Sequence, residues 1–315
     1  RFFQPLQDLS EKYNILQTAM ASSERIFTLL DTTPSVPDVA RPAGKPAVRG
    51  VEVAFEDVWF AYDLAHMAKQ QAGAAAAEAP VEWVLKGVSF RASPGETLAL
   101  VGHTGAGKTT IVNLLMRFYD PQRGRITING VDIRTMPLDE LRSLIGYVQQ
   151  DIFLFAGDIA TNIRLSNPLS DEDVVQAAAK VGADRIIRGF PQGYGQILGE
   201  RGASISVGER QLLSFARAIA ANAPLLLLDE ATSAVDSEIE AEIHEALSVL
   251  VEGRTTIAVA HRLSTIANAD MILVLHHGEV VERGTHRELI EHGGLYSNLW
   301  RLQAGDSDHL LKRAG

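Results

Sequence analysis

The chain has 315 residues, of which 46% are hydrophobic, so it can bury a substantial core as one large domain with appendages or as two small ones. It contains no cysteine, which excludes disulfides and thiolate zinc sites, and no run of eighteen apolar residues that could cross a bilayer. The net charge of −10 and the pI of about 5.4 argue against a protein that binds the nucleic-acid backbone.

The N-terminal region predicts one long helix within residues 1–33. Apolar side chains recur at intervals of three, four or seven residues between Phe2 and Leu30, which forms one stripe on a helix. The pattern alone fits an amphipathic packing helix and a helix that emerges from a membrane equally well. Because the chain begins at Arg1 without a signal-peptide pattern, we expect it to be a piece of a longer protein.

Three segments lack the periodicity of regular structure. Residues 34–50 are rich in proline and are predicted to form a linker. Residues 64–80 are rich in alanine and could form a short helix or a surface excursion; we expect an insertion without chemistry. Residues 306–315 have the composition of a frayed tail.

The remaining sequence alternates strand and helix patterns, which predicts an α/β domain. Helices are predicted at 111–119 and 171–182. The predicted strands are 51–55, 57–62, 84–90, 97–101, 125–130, 145–150, 224–230, 255–260 and 271–280. The entirely apolar run at 225–228 is typical of a central parallel strand that is covered on both faces.

A glycine-rich stretch, GHTGAGKTT at residues 102–110, follows a predicted strand and precedes a predicted helix. It satisfies the phosphate-loop pattern, in which backbone N–H groups and a helix N-terminus surround phosphates. We predict that Lys108 reaches the β- and γ-phosphates of a nucleotide and that Thr109 ligates Mg²⁺. The predicted nucleotide-binding residues of this stretch are Gly102, Thr104, Gly105, Ala106, Gly107, Lys108, Thr109 and Thr110.

Two adjacent carboxylates end the apolar strand LLLLDE at residues 225–230. A nucleotide bound with magnesium needs a second acidic anchor, and Asp229 can hold the water shell of the metal. Glu230 can orient or deprotonate an attacking water, so we predict that it is the catalytic base.

The stretch ISVGERQLLSFARAIAANAPLLLLDEATSAVD at 205–236 resembles the joined signature helix, Walker B strand and D-loop of ATP-binding-cassette (ABC) ATPases. The similarity covers essentially residues 51–303. It implies an α/β fold with a P-loop NTPase (RecA-like) core, an antiparallel β subdomain and an α-helical signature subdomain. On this basis the ATPase domain should span 51–305, with its helical subdomain at about 152–222.

The signature segment matches the family in part. Ser206 and Gly208 match the signature serine and second glycine, which implies that they contact the γ-phosphate bound to an opposing subunit. The segment departs from the usual pattern at Ile205, Val207 and Glu209. Glu209 stands where the family has glutamine, so it places a carboxylate near this phosphate site.

Further positions match motifs of the family. The resemblance implies that Tyr62 stacks on the adenine ring, for which an amphipathic ring is suited. It implies that Gln150 senses magnesium and the attacking water, with Gln149 as the competing choice by one position. It also implies that Asp236 communicates across a dimer and that His261 contacts the γ-phosphate.

Two features resemble exporters within this family. LGERGASIS at 198–206 is similar to the exporter-specific segment that contacts transmembrane coupling helices, with Gly199, Glu200 and Arg201 at its core. The N-terminal helix looks like the cytoplasmic end of the last transmembrane helix of a half-transporter. The resemblance therefore implies the nucleotide-binding domain of a multidrug- or lipid-type ABC exporter at the cytoplasmic face of a bacterial inner membrane.

The partners implied are ATP, Mg²⁺, a second identical or different nucleotide-binding domain, and the transmembrane domain of the same polypeptide. No nucleic-acid partner is expected. Three rival functions stay open at this point: an ATP-gated clamp that is not coupled to transport, a soluble ABC protein that acts on nucleic acid, and, less favoured, a P-loop kinase. Intact Glu230 and His261 weigh against the first, and the acidic charge weighs against the second.

Overall fold

The computed structural model describes residues 3–33, 36–39, 50–62, 81–149, 151–165, 167–199, 205–229, 237–259 and 266–302. Two compact units are present, residues 1–37 and residues 38–315. The predicted insertion at 64–80, the predicted tail at 306–315 and most of the predicted linker at 34–50 lie outside the described residues.

The first unit consists mainly of one helix, α1 (Phe3–Leu30). Large apolar side chains along it, among them Leu9, Tyr13, Leu16 and Met20, are exposed. Within the described part of the chain, no helix combines the length and the apolar character that a membrane span requires.

The second unit contains the strands of the molecule. In chain order they are β1 (Val53–Phe60), β2 (Leu85–Ala92), β3 (Thr97–Val101), β4 (Arg123–Ile128), β5 (Val131–Asp132), β6 (Ile145–Val148), β7 (Gly157–Asp158), β8 (Ile197–Leu198), β9 (Leu225–Asp229), β10 (Thr255–Val259), β11 (Met271–His276) and β12 (Glu279–Gly284). They form one six-stranded sheet, one four-stranded antiparallel sheet and the short pair β7–β8 among the described residues.

The helices of the second unit alternate with these strands. Those with described bounds are α2 (Lys108–Leu115), α3 (Leu138–Ser143), α4 (Ile159–Arg164), α5 (Asp171–Lys180), α6 (Ala183–Gly189), α7 (Val207–Ala221), α8 (Ser237–Val251) and α9 (His286–His292). Residues 295–302 are also helical. Between α4 and α7 the described residues also include a 3₁₀ turn (Gly193–Gly195) and β8. These helices pack around one core, to which α7 contributes Leu212 and Phe215.

The six-stranded sheet has the order β12-β11-β3-β10-β9-β6, in which every pair is parallel except β11–β12. Alternation along β9 places Leu225 and Leu227 in the core on one face of the sheet. Leu226 and Leu228 belong to the core on the other face. The predicted central strand with both faces covered is therefore confirmed, and the carboxyl ends of β3, β9, β10 and β6 lie along one edge.

The four-stranded sheet has the order β2-β1-β4-β5. The prediction of two strands at 51–55 and 57–62 is wrong, because a single strand, β1 (Val53–Phe60), runs through both stretches. The break in the sequence pattern has a structural cause: the pairing register shifts after Phe55, and Asp57 has a φ of 49°.

The strand predicted at 271–280 is also wrong in extent. β11 ends at His276, and a turn at His277 and Gly278 leads into the antiparallel β12. Both turn residues have positive φ, 48° and 85°, which suits a tight hairpin but is unusual for His277. The predicted α/β class, with an antiparallel β part and a helical part, is confirmed.

Candidate nucleotide-binding site

The loop at residues 102–107 connects the end of β3 to the start of α2, as the phosphate-loop pattern predicts. A larger residue is disfavoured at two of its glycines, by a backbone contact at Gly102 and by a positive φ at Gly107. A Cβ atom at Gly102 would collide with the carbonyl oxygen of Leu275 at the end of β11. At Gly107, where φ is 105°, a Cβ atom would lie 2.6 Å from Cδ2 of Leu85.

Lys108 is the first residue of α2 and is buried. Its Nζ donates hydrogen bonds to the carbonyl oxygens of Gly102 (2.6 Å) and His103 (3.0 Å). The backbone N–H of Ala106 donates to the carbonyl of His103 (3.1 Å), which closes the turn. The loop is therefore held in a curled conformation with its cation fixed across it.

A cavity of about 600 Å³ opens beside this loop. It brings together predicted residues from three separate stretches: Tyr62, the phosphate loop and Asp229. Its lining consists of Tyr62, Val84, Thr104, Gly105, Gly107, Lys108, Thr109, Thr110, Asp229 and Val259. A pocket of this size suits a nucleotide, which needs an apolar wall for its base and polar groups for its phosphates.

Tyr62 lines this cavity and packs against two further aromatic rings. Its ring packs edge-on against Phe60, with 4.8 Å between centroids, and against Tyr119, with 5.2 Å. Its hydroxyl lies 3.2 Å from Oγ1 of Thr110 and accepts a hydrogen bond from Nδ2 of Asn113 (3.3 Å). The ring and the phosphate-loop helix are therefore directly connected.

Asp229 is the last residue of β9 and is partly exposed. The hydroxyl of Tyr147, on β6, donates a hydrogen bond to Oδ2 of Asp229 (3.3 Å). Burial, and next the charge of Asp229, raise the pKa of Tyr147 to about 12, so the phenol remains a donor near neutral pH.

The donor set in the cavity fits Mg²⁺. The hydroxyl of Thr109 and the carboxylate of Asp229 are hard oxygen ligands that line the same space. Among the described residues there is no cluster of three or more His, Asp or Glu side chains that could hold a metal ion. Magnesium usually takes further oxygens from waters and from nucleotide phosphates.

The signature segment lies at the start of α7 and contributes no residue to the cavity. Ser206 and Glu209 form a capping box: the N–H of Ser206 donates to Oε2 of Glu209 (2.6 Å), and the N–H of Glu209 donates to Oγ of Ser206 (3.2 Å). Gly208 is buried in the first turn. The carboxylate of Glu209 therefore has a structural partner within its own helix cap.

Several predicted residues lie outside the described residues: Gln150, Glu200, Arg201, Glu230, Asp236 and His261. Gln149 and Gly199 are described, and both are exposed. The roles predicted for all of these residues stay predictions.

Sequence reasoning did not identify the residues that support the site. Asn113 and Tyr147 contact Tyr62 and Asp229, and Val84 lines the cavity. Tyr147 stands in a predicted strand two residues before Gln149, but only the pairing of β6 with β9 shows that it reaches Asp229. No signal in the sequence gives that register.

Comparison with known proteins gives consistent results. A family model described as ABC transporter matches residues 85–233. An uncharacterized ABC transporter ATP-binding protein of Bacillus subtilis (strain 168) is 46% identical over 303 residues, which cover 96% of this chain and 47% of the relative. An ATP-dependent lipid A-core flippase of Chromobacterium violaceum is 42% identical over 302 residues, which cover 96% of this chain and 49% of the relative.

A solved structure of a bacterial Atm1-family ABC exporter with ATP bound is similar with a TM-score of 0.78 and 39% sequence identity. The similarity covers 96% of this chain and 50% of that chain. The chain thus spans about half the length of the curated relatives it matches.

Proposed function

Because the chain belongs to the ABC transporter family, we propose that it is the ATP-binding and ATP-hydrolysing motor domain of an exporter. The observation that carries the proposal is the cavity in which Tyr62, the phosphate loop and Asp229 meet. Similarity to a flippase and to an exporter supports the direction of transport.

The phosphate loop and Tyr62 bind the two ends of ATP. The backbone of Thr104, Gly105 and Gly107 and the N-terminus of α2 offer N–H groups and a partial positive charge to the phosphates. Lys108, fixed by its two carbonyl contacts, adds a full charge next to the β- and γ-phosphates. The ring of Tyr62 provides a flat apolar surface for the adenine.

Thr109 and Asp229 would hold Mg²⁺ in this proposal, Thr109 directly and Asp229 through the water shell. The ion would supply positive charge that offsets the negative charge of the phosphates. Glu230 follows Asp229 directly and takes a proton from the water whose oxygen attacks the γ-phosphorus, while the bond to the bridging oxygen of ADP breaks. Gln150 and His261 position that water and the γ-phosphate.

A second nucleotide-binding domain completes the site. Ser206 and Gly208 of one domain meet the γ-phosphate held by the phosphate loop of the other, and Asp236 communicates across this interface. ATP binds the closed pair better than the separate domains, so it shifts the equilibrium towards closure. Hydrolysis at Glu230 removes the shared phosphate and allows the pair to open.

The other half of the whole protein is proposed to be a transmembrane domain. The basis is that the chain covers only 47–49% of relatives such as the lipid A-core flippase. In this arrangement α1 continues from the last transmembrane helix, and the segment around Gly199 contacts coupling helices. The chain would then lie at the cytoplasmic face of a bacterial inner membrane.

The Glu230→Gln variant tests the proposed chemistry. It should bind Mg-ATP and form a dimer, while steady-state phosphate release falls by about 100-fold or more, since general-base catalysis typically contributes factors of 10² to 10⁴. Phosphate release and size-exclusion chromatography measure the two effects. Glu252→Gln, which alters an exposed carboxylate after α8, is the matched control and should retain full activity. Turnover by Glu230→Gln at the control rate would show that another group is the base.

A further inference from the structure

Tyr147 lies next to the residue proposed to hold the metal. In the parallel pair of β6 and β9, Tyr147 is opposite Leu227. Because side chains on a strand alternate between faces, Tyr147 lies on the same face of the sheet as Leu227 and Asp229. This is the face whose core contains α2, the helix that follows the phosphate loop.

The contact between the two side chains is polar and specific. The ring of Tyr147 is partly buried against the core, and its hydroxyl donates to Oδ2 of Asp229 at 3.3 Å. Asp229 stands at the last position of β9, where its carboxylate borders the cavity. A carboxylate has about four acceptor sites on its two oxygens, so this bond is compatible with binding a metal or its water.

We propose that Tyr147 is a positioning residue for Asp229, whose hydroxyl orients the carboxylate that holds the metal's water shell beside Thr109. Outer-shell groups of this kind limit the rotation of a ligand and tune its basicity. The inference rests on the proposed function, since it concerns the same nucleotide site.

The hydrogen bond from Tyr147 to Asp229 also connects the end of β9 to the end of β6. β6 ends at Val148, and the next residues are Gln149 and Gln150. Tyr147 therefore joins Asp229 to the strand from which the predicted magnesium-sensing segment begins. A residue that only filled space in the core would affect stability but would leave metal binding unchanged.

The Tyr147→Phe variant removes the hydroxyl and keeps the ring. Mn²⁺ serves as the probe, titrated by electron paramagnetic resonance in the presence of a saturating non-hydrolysable ATP analogue. We expect the half-saturating Mn²⁺ concentration to rise about tenfold, at the lower end of the effect of outer-shell partners. Affinity for the same analogue in EDTA should be unchanged, because the phosphate loop is intact.

Tyr194→Phe is the matched control. It also removes a tyrosine–aspartate hydrogen bond, from Tyr194 to Oδ1 of Asp184 (2.7 Å), but in the helical part of the chain. It should leave the Mn²⁺ titration at the parental value. If the phenylalanine variant fails to fold, as judged by its analogue affinity in EDTA, Tyr147→Met provides a second variant without a hydroxyl.

The outcomes separate this inference from the proposed function. Equal Mn²⁺ titrations for the parental chain and Tyr147→Phe would overturn the positioning role and leave the proposed function standing. A parental chain that binds neither the analogue nor Mn²⁺ would overturn the proposed function itself, and the positioning role with it.

Discussion

Tyr62 is held both through its ring and through its hydroxyl. The rings of Phe60 and Tyr119 contact it edge-on, which leaves rotation of the ring restricted. Thr110 and Asn113 contact the hydroxyl from the phosphate-loop helix. The distance between the ring of Tyr62 and the phosphate loop is therefore set by contacts within the protein. We expect Asn113 to influence adenine binding through Tyr62, although it does not line the cavity.

The Asn113→Ala variant should weaken ATP binding by about three- to fivefold, because a neutral hydrogen bond contributes about 0.5–1.5 kcal/mol. Isothermal titration calorimetry with ATP measures the change. Inorganic tripolyphosphate has no base, so its affinity should stay at the parental value. Tyr62→Phe removes the same hydrogen bond, and the double variant should be no weaker than the weaker single variant. Fully additive losses would contradict a shared contact.

Elements whose signal is local could be predicted from the sequence. β9 is a run of apolar residues with a clear end, and the phosphate loop with Lys108 is defined by a short contiguous pattern. The bulge at Asp57 and the turn at His277 could not be predicted, because both residues adopt a positive φ that their side chains do not favour. Tertiary pairing imposes these conformations.

The same distinction applies to the candidate site. Lys108, Thr109 and Asp229 were predicted because each belongs to a motif with a fixed spacing. Tyr147 and Asn113 depend on strand register and on the position of β1 against α2, which no short segment encodes. The residues proposed to bind the nucleotide and its metal were therefore accessible to sequence reasoning, and the residues proposed to orient them were not.

In the helical part, the hydrogen bonds of Asp184 to Arg188 and Tyr194 can be tested through the pH dependence of stability. Asp184, on α6, accepts hydrogen bonds from Tyr194 (2.7 Å) and from Nε of Arg188 (2.8 Å). Burial alone would raise the pKa of Asp184, but these hydrogen bonds and the charge of Arg188 bring its pKa below the ordinary value. A lowered folded-state pKa stabilises the fold above the unfolded-state pKa of about 3.9, and this contribution disappears as the pH falls through the folded-state value.

Asp184→Asn should therefore lower the free energy of unfolding by about 1 kcal/mol at pH 7, the scale of a hydrogen bond to a partly buried group. The difference from the parental chain should persist at pH 5 and shrink as the pH falls below about 3.9. Urea unfolding at pH 7, 5 and 3 measures it. Glu252→Gln, an exposed carboxylate, should match the parental chain throughout. A difference that grows towards pH 3 would contradict the assigned sign.

At the scale of the whole molecule, the residues proposed to contact nucleotide are divided between two places. The carboxyl edge of the six-stranded sheet collects the phosphate loop, Asp229 and Tyr147. Ser206 and Glu209 cap α7 and line no part of that cavity. Since the two groups of residues do not line one cavity in this chain, we propose that they act together across a pair of domains, which is the physical basis of the proposed ATP-dependent dimer.

Removing the negative charge of Glu209 tests whether this dimer forms as proposed. In the proposed pair its carboxylate lies near the γ-phosphate of the opposite site, and two like unit charges about 7 Å apart in water repel by about 0.6 kcal/mol. Glu209→Gln retains an acceptor for the N–H of Ser206, so the capping box is preserved while the charge is lost.

In the Glu230→Gln background, the Glu209→Gln substitution should strengthen Mg-ATP-dependent dimerisation by about threefold per site, or about tenfold for two sites. Sedimentation equilibrium measures the constant, and the gain should shrink in 1 M salt because the repulsion is screened. Ser206→Ala, which removes the cap and the serine hydroxyl, should weaken the dimer. If Glu209→Gln does not tighten the dimer of the Glu230→Gln chain, the carboxylate of Glu209 does not lie near the γ-phosphate.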